Sequence, residues 1–203
     1  MKLNTAERWL VNNSARAWVQ RNYEVPLLRR LGGKVEGGRV LEVGCGRGVG
    51  LPLLLGEFGA THAEGVDLDP RQIARARKRL DALFGDRLGL HVASVEELPF
   101  PDASFDAVFD FGILHHVPLW QAGVAEISRV LKPGGTFFFE EVTRAALNRW
   151  TYRTFLKHPT ENRFSEAEFL EELTRARLHP NPDIHRVLFG DIFIGVAKRT
   201  GQH

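Results

Sequence analysis

From residue 38 onward, the chain alternates short apolar runs with amphipathic stretches. The apolar runs predict strands at 38–43, 61–67, 87–93, 104–111 and 134–142. Between these runs, apolar residues recur at spacings of three and four, which predicts helices. Strands that alternate with helices are typical of a parallel sheet with helices on both faces. We therefore predict an α/β protein with a doubly wound, mostly parallel sheet.

The end of the chain departs from this alternation. A capping box at Ser165 predicts the start of a helix. Two strand-like runs follow, at 183–189 and 192–199, and they are joined at Gly190-Asp191. A parallel return needs a crossover, so two strands with so short a connection must be antiparallel. We predict seven strands in all, of which the last two form an antiparallel hairpin.

Two amphipathic segments accompany the core that is predicted over 38–199. Residues 4–31 have a largely helical pattern with large apolar side chains, and they predict a helical cap. Residues 143–164 combine arginines with large aromatics, and we expect them to form a lid over a substrate. A length of 203 residues fits one domain. We expect residues 1–203 to form a single domain.

Composition narrows the class of protein further. Hydrophobic residues make up 43% and charged residues 26% of the chain, which is typical of a soluble globular protein. A formal charge of +2 is too small to indicate a nucleic-acid partner. Cys45 is the single cysteine, so no intrachain disulfide can form. No run has the pattern of a signal peptide or the ~18 apolar residues of a membrane span. We expect a cytoplasmic protein.

The strongest functional signal lies in residues 40–48, where an apolar strand runs into a glycine-rich turn. Glycines occur at Gly44, Gly46 and Gly48, and Glu42 stands two positions before the first of them. Glycines allow the backbone to approach a ligand closely. In the dinucleotide fingerprint the third glycine follows the second by three residues, whereas here it follows by two. The turn therefore predicts a nucleotide-like ligand other than a nicotinamide cofactor.

Further motifs lie next to the predicted strands, in order along the chain. With the first turn they are Glu42–Gly48, Gly65–Asp67, Ser94–Asp106, Ile113–Val117 and Arg129–Gly135. Together they resemble the class I S-adenosylmethionine-dependent methyltransferases, in the small single-domain type that includes quinone, sterol and small-molecule methyltransferases. The resemblance covers 38–199. It implies a Rossmann-like fold, S-adenosyl-L-methionine as the methyl donor and S-adenosyl-L-homocysteine as the product.

The resemblance also implies which residues hold the donor. Glu42 is expected to position the ammonium group of the methionine part, and Asp67 the two ribose hydroxyls. Where the family usually has an acidic residue near the adenine, this chain has Ser94, with Glu96 two residues later. The full predicted donor set is Glu42, Gly44, Cys45, Gly46, Asp67, Leu68, Ser94, Val95 and Phe111. No metal ligand is predicted.

Candidate catalytic residues follow the fourth and fifth strands. His115 and His116 titrate near neutrality and are candidates for acid/base chemistry. In-line methyl transfer needs a base only when the acceptor loses a proton, so the alternative is that both are wall residues. Glu140 is a candidate that faces the acceptor cavity, and the alternative is a solvated pair with Glu141. Phe111 either faces the sulfonium or packs against the sheet.

These observations predict an enzyme that transfers the methyl group to a small-molecule oxygen, nitrogen, carbon or sulfur by in-line displacement. The preferred acceptor is a small soluble molecule under the lid. An apolar lipid or quinone-type acceptor at a membrane surface remains open, as does a non-catalytic donor-binding protein. An NAD(P)-dependent oxidoreductase is disfavoured by the glycine spacing, and a nucleic-acid substrate by Asp110–Ile113, which replaces the expected Asn-Pro-Pro-Tyr type tetrapeptide. The sequence does not fix the oligomeric state.

Overall fold

A computed structural model describes residues 14–147 and 162–201, and its centre is an eight-stranded sheet. Seven strands follow the order β3, β2, β1, β4, β5, β8, β6, and the eighth, β7, also pairs with β8. The strands are β1 Arg39–Val43, β2 His62–Asp67, β3 Leu88–Val92, β4 Phe105–Phe111, β5 Leu131–Val142, β6 Leu178–Pro180, β7 His185–Val187 and β8 Ile192–Arg199. The first five strands pair in parallel, and β8 lies antiparallel to β5. The predicted doubly wound, mostly parallel sheet is confirmed.

Helices flank the sheet and precede it. They are α1 Ser14–Val19, α2 Val25–Gly32, α3 Leu51–Gly56, α4 Pro70–Phe84, α5 Trp120–Val130, α6 Arg144–Leu147 and α7 Glu166–Arg175, with a π-helical turn at Gln20–Glu24 and short 3-10 turns at Gly85–Arg87, Leu114–His116 and Leu188–Gly190. The described part of the predicted cap is therefore helical. Residues 4–13 of the cap and 148–161 of the expected lid lie outside the described residues. The capping box at Ser165 is confirmed.

The two faces of the sheet carry separate apolar cores, because successive side chains of a strand point to opposite faces. Leu41 and Phe139 belong to the core under α5 and α7. Val40, Phe109 and Phe138 belong to the core under α2, α3 and α4. In that second core the rings of Phe109 and Phe138 stack at a centroid distance of 4.5 Å. Burial on both faces explains the nearly continuous apolar runs of the central strands.

The C-terminal hairpin is confirmed as antiparallel, but two details of the prediction are wrong. The strand β7 covers only 185–187, and residues 188–191 join it to β8. Leu188 and Phe189 leave the strand because both have positive φ, 51° and 59°. A further strand, β6, was not predicted, because a three-residue edge strand directly after a helix is too short to show a period.

Candidate functional site

A pocket opens at the edge where the carboxyl ends of β1, β2, β3 and β4 meet. All nine residues of the predicted donor set line it: Glu42, Gly44, Cys45, Gly46, Asp67, Leu68, Ser94, Val95 and Phe111. Six other lining residues come from the N-terminal helices and from the loop after β4: Arg16, Gln20, Gly112, Ile113, His116 and Val117. In open parallel sheets, ligands bind in the crevice outside the carboxyl ends of the strands. The structure thus brings the predicted residues together where that fold places a ligand.

The glycine-rich turn has the shape that the sequence predicted. Gly44 has a φ of 66°, and a Cβ atom there would lie 2.5 Å from Cγ1 of Ile113. Gly50, for which the sequence predicted no role, has no space for a side chain either, because its Cβ would lie 2.6 Å from Oε1 of Glu42. Glycines at these two positions allow the turn and the Glu42 carboxylate to pack closely beside the pocket.

Glu42 is a buried carboxylate on the wall of the pocket. Its residue surface is only 4% exposed, and its Oε2 has no hydrogen-bond partner among the described residues. Burial raises the pKa of Glu42 to about 8, and the charges of Asp67 and Asp110 act in the same direction. A cationic group bound in the pocket would satisfy this oxygen and lower that pKa. The site therefore fits a ligand with an ammonium group.

Asp67 is held by the backbone at the end of β2. Its Oδ2 accepts a hydrogen bond from the Gly46 amide at 2.9 Å, and its Oδ1 accepts one from the Asp69 amide at 2.8 Å. Burial raises the pKa of Asp67. Asp69 caps α4 by accepting a hydrogen bond from the Arg71 amide at 3.0 Å. Each carboxylate oxygen of Asp67 keeps a second lone pair for a ligand.

Ser94 and Glu96 form a small hydrogen-bonded unit after β3. The hydroxyl of Ser94 donates to Oε2 of Glu96 at 2.9 Å and accepts from the Glu96 amide at 3.2 Å. Oε1 of Glu96 also accepts from the Leu119 amide at 3.2 Å. Both residues line the pocket. A carboxylate is therefore present here although the position usually acidic in the family is a serine.

The loop after β4 is held from below by a fully buried carboxylate, Glu141. Its Oε2 lies 2.6 Å from Nδ1 of His115, and its Oε1 accepts from the Leu114 amide at 2.7 Å. Burial raises the pKa of Glu141 to about 7, although these hydrogen bonds act in the opposite direction. His116 lines the pocket, and its ring centroid lies 4.1 Å from that of His115. Glu141 thus fixes the orientation of His115.

A second buried carboxylate, Asp110, supports the same loop. Its Oδ1 accepts hydrogen bonds from the amides of Gly112 and Ile113 at 3.0 and 2.8 Å. Burial, and after it the charge of Glu141, raise the pKa of Asp110 well above its ordinary value. The sequence predicted no role for Asp110. The available signal was an acidic residue close to the end of the largely apolar strand at 104–111, which also contains Asp106.

Glu140 lies on the side of the N-terminal helices and is not among the residues that line the pocket. Its Oε1 is 3.3 Å from Nη2 of Arg16, and Arg16 also forms an ion pair with Glu24. Burial raises the pKa of Glu140. The alternative of a solvated Glu140 and Glu141 pair is wrong, because both residues are buried. Arg16 and Gln20 do line the pocket, although neither was predicted to.

Metal ligation and membrane spanning find no support in the described part of the chain. Within 14–147 and 162–201, no group of three or more His, Cys, Asp and Glu side chains is arranged to hold a metal ion. In the same residues, no helix has both the length and the apolar character needed to cross a membrane.

Comparison with known proteins identifies the family. Residues 41–139 match the family model described as a methyltransferase domain. A probable S-adenosylmethionine-dependent methyltransferase of Mycolicibacterium smegmatis is 34% identical over 201 residues, which cover 98% of this chain and 72% of that protein. The chain belongs to the S-adenosylmethionine-dependent methyltransferases, and its methyl donor is S-adenosylmethionine. This membership excludes the NAD(P)-dependent oxidoreductase.

Two further comparisons are with a relative that is named for its methyl acceptor and with a solved structure of the same fold. A fatty-acid O-methyltransferase of Mycolicibacterium smegmatis is 38% identical over 112 residues, which cover 53% of this chain and 38% of that protein. The chain therefore matches less than half the length of that relative. The crystal structure of an S-adenosylmethionine-dependent methyltransferase from Aquifex aeolicus has a TM-score of 0.75 at 22% identity and covers 98% of this chain and 100% of that one. This likeness confirms the Rossmann-like fold.

Proposed function

We propose that this methyltransferase acts on an apolar small-molecule acceptor that loses a proton, such as a hydroxyl, and that His115 accepts this proton. The observation that carries the proposal is the buried pair of His115 and Glu141 beside the pocket, with 2.6 Å between Nδ1 and Oε2. A carboxylate on one ring nitrogen orients the imidazole and stabilises the imidazolium that forms when the other nitrogen, Nε2, accepts a proton.

Donor binding is assigned to the residues that the sequence predicted. The ammonium group of the donor fits the buried Oε2 of Glu42, and the ribose hydroxyls fit the second lone pairs of Asp67. Ser94, Val95 and Glu96 take the adenine end. When bound, S-adenosylmethionine supplies an electrophilic methyl group on a sulfonium. The chain's own residues then have to align the acceptor with that methyl group, because alignment contributes much of the rate of a displacement.

We place the transfer of the acceptor's proton to His115 at the side of the pocket that Gly112 forms. Gly112 lines the pocket, and a Cβ atom there would lie 3.6 Å from Cε1 of His115, so only a glycine separates this part of the wall from the imidazole edge. The acceptor oxygen would lose its proton to Nε2 of His115 as it bonds to the methyl carbon, while the carbon–sulfur bond of the donor breaks and S-adenosylhomocysteine leaves. The resulting imidazolium is stabilised by the Glu141 carboxylate.

The apolar character of the acceptor rests on two observations. The wall beside the histidines includes the apolar residues Phe111, Ile113 and Val117. The matched relative is named for a fatty acid, which has a long apolar chain. A fatty-acid carboxylate needs no base, whereas a hydroxyl does. The buried His115 and Glu141 pair therefore favours a hydroxyl, and a carboxylate acceptor is the competing outcome.

The test compares a long-chain alcohol with the carboxylic acid of the same length, and it measures S-adenosylhomocysteine release. We expect turnover of the alcohol, and the variant His115→Asn should lower its kcat by about 10²–10⁴-fold while the affinity for S-adenosylhomocysteine stays unchanged. The matched variant His116→Asn should have a smaller effect. Turnover of the acid alone, with His115→Asn at the wild-type rate, would contradict the proposal.

Glu141 is assigned as a positioning residue, and its pH dependence tests this assignment. The carboxylate must be ionised to hold the imidazolium, and burial raises its pKa to about 7. The titratable groups around it are Asp110, His115 and Glu140. The rate should therefore rise with pH through about 7 and level off above it. In Glu141→Gln the rate should be lower and this rise should disappear, whereas an unchanged pH profile would sink the assignment.

A further inference from the structure

Two carboxyl groups lie fully buried beneath the loop that follows β4. Asp110 in β4 and Glu141 in the neighbouring strand β5 each have a relative accessibility of 0%. The proposed function uses Glu141 as the partner of His115, whereas it gives Asp110 no part in the chemistry. Asp110 is not among the described residues that line the pocket. A buried carboxyl group is costly unless it is neutral or well paired, so the charge state of Asp110 matters.

The two carboxyl groups hold four consecutive backbone amides of the loop. Oδ1 of Asp110 accepts hydrogen bonds from the amides at 112 and 113, at 3.0 and 2.8 Å. The carboxylate of Glu141 accepts from the next two amides, at 114 and 115, at 2.7 and 3.3 Å. Because these amides follow one another, the two carboxyl groups lie side by side. They are within hydrogen-bonding reach of each other.

This proximity requires a proton on the pair. Two carboxylates cannot share a hydrogen bond, because an ionised carboxylate only accepts. Two negative charges so close together in the interior also repel each other strongly, so one of the two groups stays protonated. An ionised Asp110 would in addition face Glu42 on β1, whose pKa is raised by a charge on Asp110. A single proton on Asp110 would remove both repulsions.

The hydrogen-bond donors indicate which of the two groups carries this proton. Besides the two loop amides, Glu141 accepts from the Val142 amide at 3.2 Å and lies 2.6 Å from Nδ1 of His115. Asp110 receives its two donors on Oδ1 alone, and its Oδ2 has no hydrogen-bond donor among the described residues. Donors stabilise the ionised form of a carboxyl group. The charge therefore belongs on Glu141 and the proton on Asp110. Burial raises the pKa of Asp110 well above its ordinary value, in agreement with this assignment.

We propose that Asp110 is protonated at Oδ2 and donates a hydrogen bond to Glu141, which keeps Glu141 ionised beside His115. Asp110 is then a positioning residue, because it acts on the acceptor only through Glu141 and His115. Without this donor, Glu141 would take up a proton at higher pH and would no longer stabilise the imidazolium. This inference rests on the base role of His115 in the proposed function and adds the group that sets the charge of Glu141.

The titratable groups packed against the pair come from β1, β5 and the 3-10 turn after β4. They are Glu42, Glu140, His115 and His116. Arg16 of α1 forms an ion pair with Glu140. None of these groups is replaced in the variants below, so they are common to all the proteins that the test compares.

The first arm of the test needs no acceptor. It records carbon NMR spectra of protein labelled with ¹³C in the side-chain carboxyl groups of aspartate, at about pH 8, one unit above the pKa of about 7 of Glu141. The resonance that is missing in Asp110→Asn should have the chemical shift of a protonated carboxyl group. The matched control is Asp106→Asn in the same strand. Asp106 lies 2.8 Å from Nζ of Lys132, so its resonance should have the shift of an ionised group. An ionised shift for Asp110 would overturn the proposal.

The second arm measures the pH profile of kcat with the long-chain alcohol. Asp110→Asn keeps a donor for Glu141 and an acceptor for the loop amides, so the rise through about pH 7 should keep its midpoint. Asp110→Ala removes the donor, and the midpoint should move up by about one to two pH units. Equal midpoints in the two variants would overturn the proposal, because a purely structural role lowers the rate without moving the midpoint.

The two arms separate this inference from the proposed function. If Asp110→Ala does not fold, the chemical shift of Asp110 still decides where the proton lies. A protonated Asp110 in a wild-type protein that does not turn over the alcohol would contradict the base role of His115 and would support the proton on Asp110.

Discussion

The two sides of the pocket are built in different ways. The donor side consists of residues 42–50, 67–69 and 94–96, which lie at or just after the ends of the first three strands. Backbone hydrogen bonds largely hold these residues in place. The cap side consists of residues 14–24, of which Arg16 and Gln20 line the pocket, and these residues contact the end of β5 and the strand β7. There, Arg16 meets Glu140 across 124 positions of sequence, and Tyr23 meets His185 across 162. The comparison indicates that a substitution on one side of the pocket can leave the other side unchanged.

The largest expected effect is on the donor side, at Gly44. The substitution Gly44→Ala places a side chain in a left-handed conformation, which costs about 1–2 kcal/mol, and the clash with Ile113 adds about 1–3 kcal/mol. We expect the affinity for S-adenosylhomocysteine, measured by calorimetric titration, to fall about hundredfold. The control is Gly56→Ala, where a Cβ atom meets nothing within 4 Å. Equal affinities for the two variants would show that the turn does not hold the donor.

The next largest effect is expected on the free energy of unfolding, when Arg16 on the cap side is replaced. Arg16→Met leaves the buried carboxylates of Glu24 and Glu140 without their cation, and we expect a loss of about 2 kcal/mol of unfolding free energy. Thermal unfolding should show a melting temperature lower by about 4–8 °C. Arg30→Met, at an exposed position of α2, is the control and should change little. A variant at Arg16 as stable as this control would show that the ion pairs do not stabilise the cap side.

These examples show why the sequence predicted one side of the pocket and missed much of the other. Glycine spacing and strand ends are local patterns, so the positions of Glu42, Gly44 and Asp67 at the pocket could be predicted from the sequence. Arg16 and Gln20 reach the pocket only through the packing of a helix that precedes the sheet. The bonds from Glu141 to His115 span 26 positions, and no local pattern encodes them. The short strand β6 was missed because its three residues pair only with the last strand.

A smaller effect concerns the pH dependence of donor binding. Burial raises the pKa of Glu42 to about 8, so the free protein keeps this carboxyl protonated below that pH, while an ammonium ligand needs it ionised. The affinity for S-adenosylhomocysteine should therefore rise between about pH 6 and about pH 8, by at most about tenfold per pH unit. Glu42→Gln should bind more weakly and lose this rise. A wild-type affinity that is flat over the same range would place the ammonium elsewhere.

The raised pKa of Glu42 also makes the stability of the folded protein decrease as the pH rises. The pKa of Glu42 is higher in the folded than in the unfolded protein, so its contribution is complete at acidic pH and is lost as the pH rises through about 8. Without ligand, the melting temperature of the wild type should fall over this range more steeply than that of Glu42→Gln. Parallel melting curves for the two proteins would contradict the shift.

The smallest effect is expected at Tyr23. Tyr23→Phe removes the hydrogen bond to His185 at a partly exposed position, and the unfolding free energy should fall by less than about 1 kcal/mol. In the background of Tyr23→Phe, His185→Ala should cause less destabilisation than it does in the wild type, because the shared bond is already absent. Donor affinity should not change. A strong loss of donor affinity in Tyr23→Phe would contradict the independence of the two sides.

We propose that the turn after β1 and the Asp67 carboxylate at the end of β2 form the donor site. Calorimetric titration with S-adenosylhomocysteine tests it most directly, with NADH in a parallel cell and Asp67→Ala as the comparison. We predict tight binding of S-adenosylhomocysteine by the wild type, strong weakening in Asp67→Ala and no heat from NADH. Unchanged affinity in Asp67→Ala, or an isotherm with NADH and none with S-adenosylhomocysteine, would contradict the account.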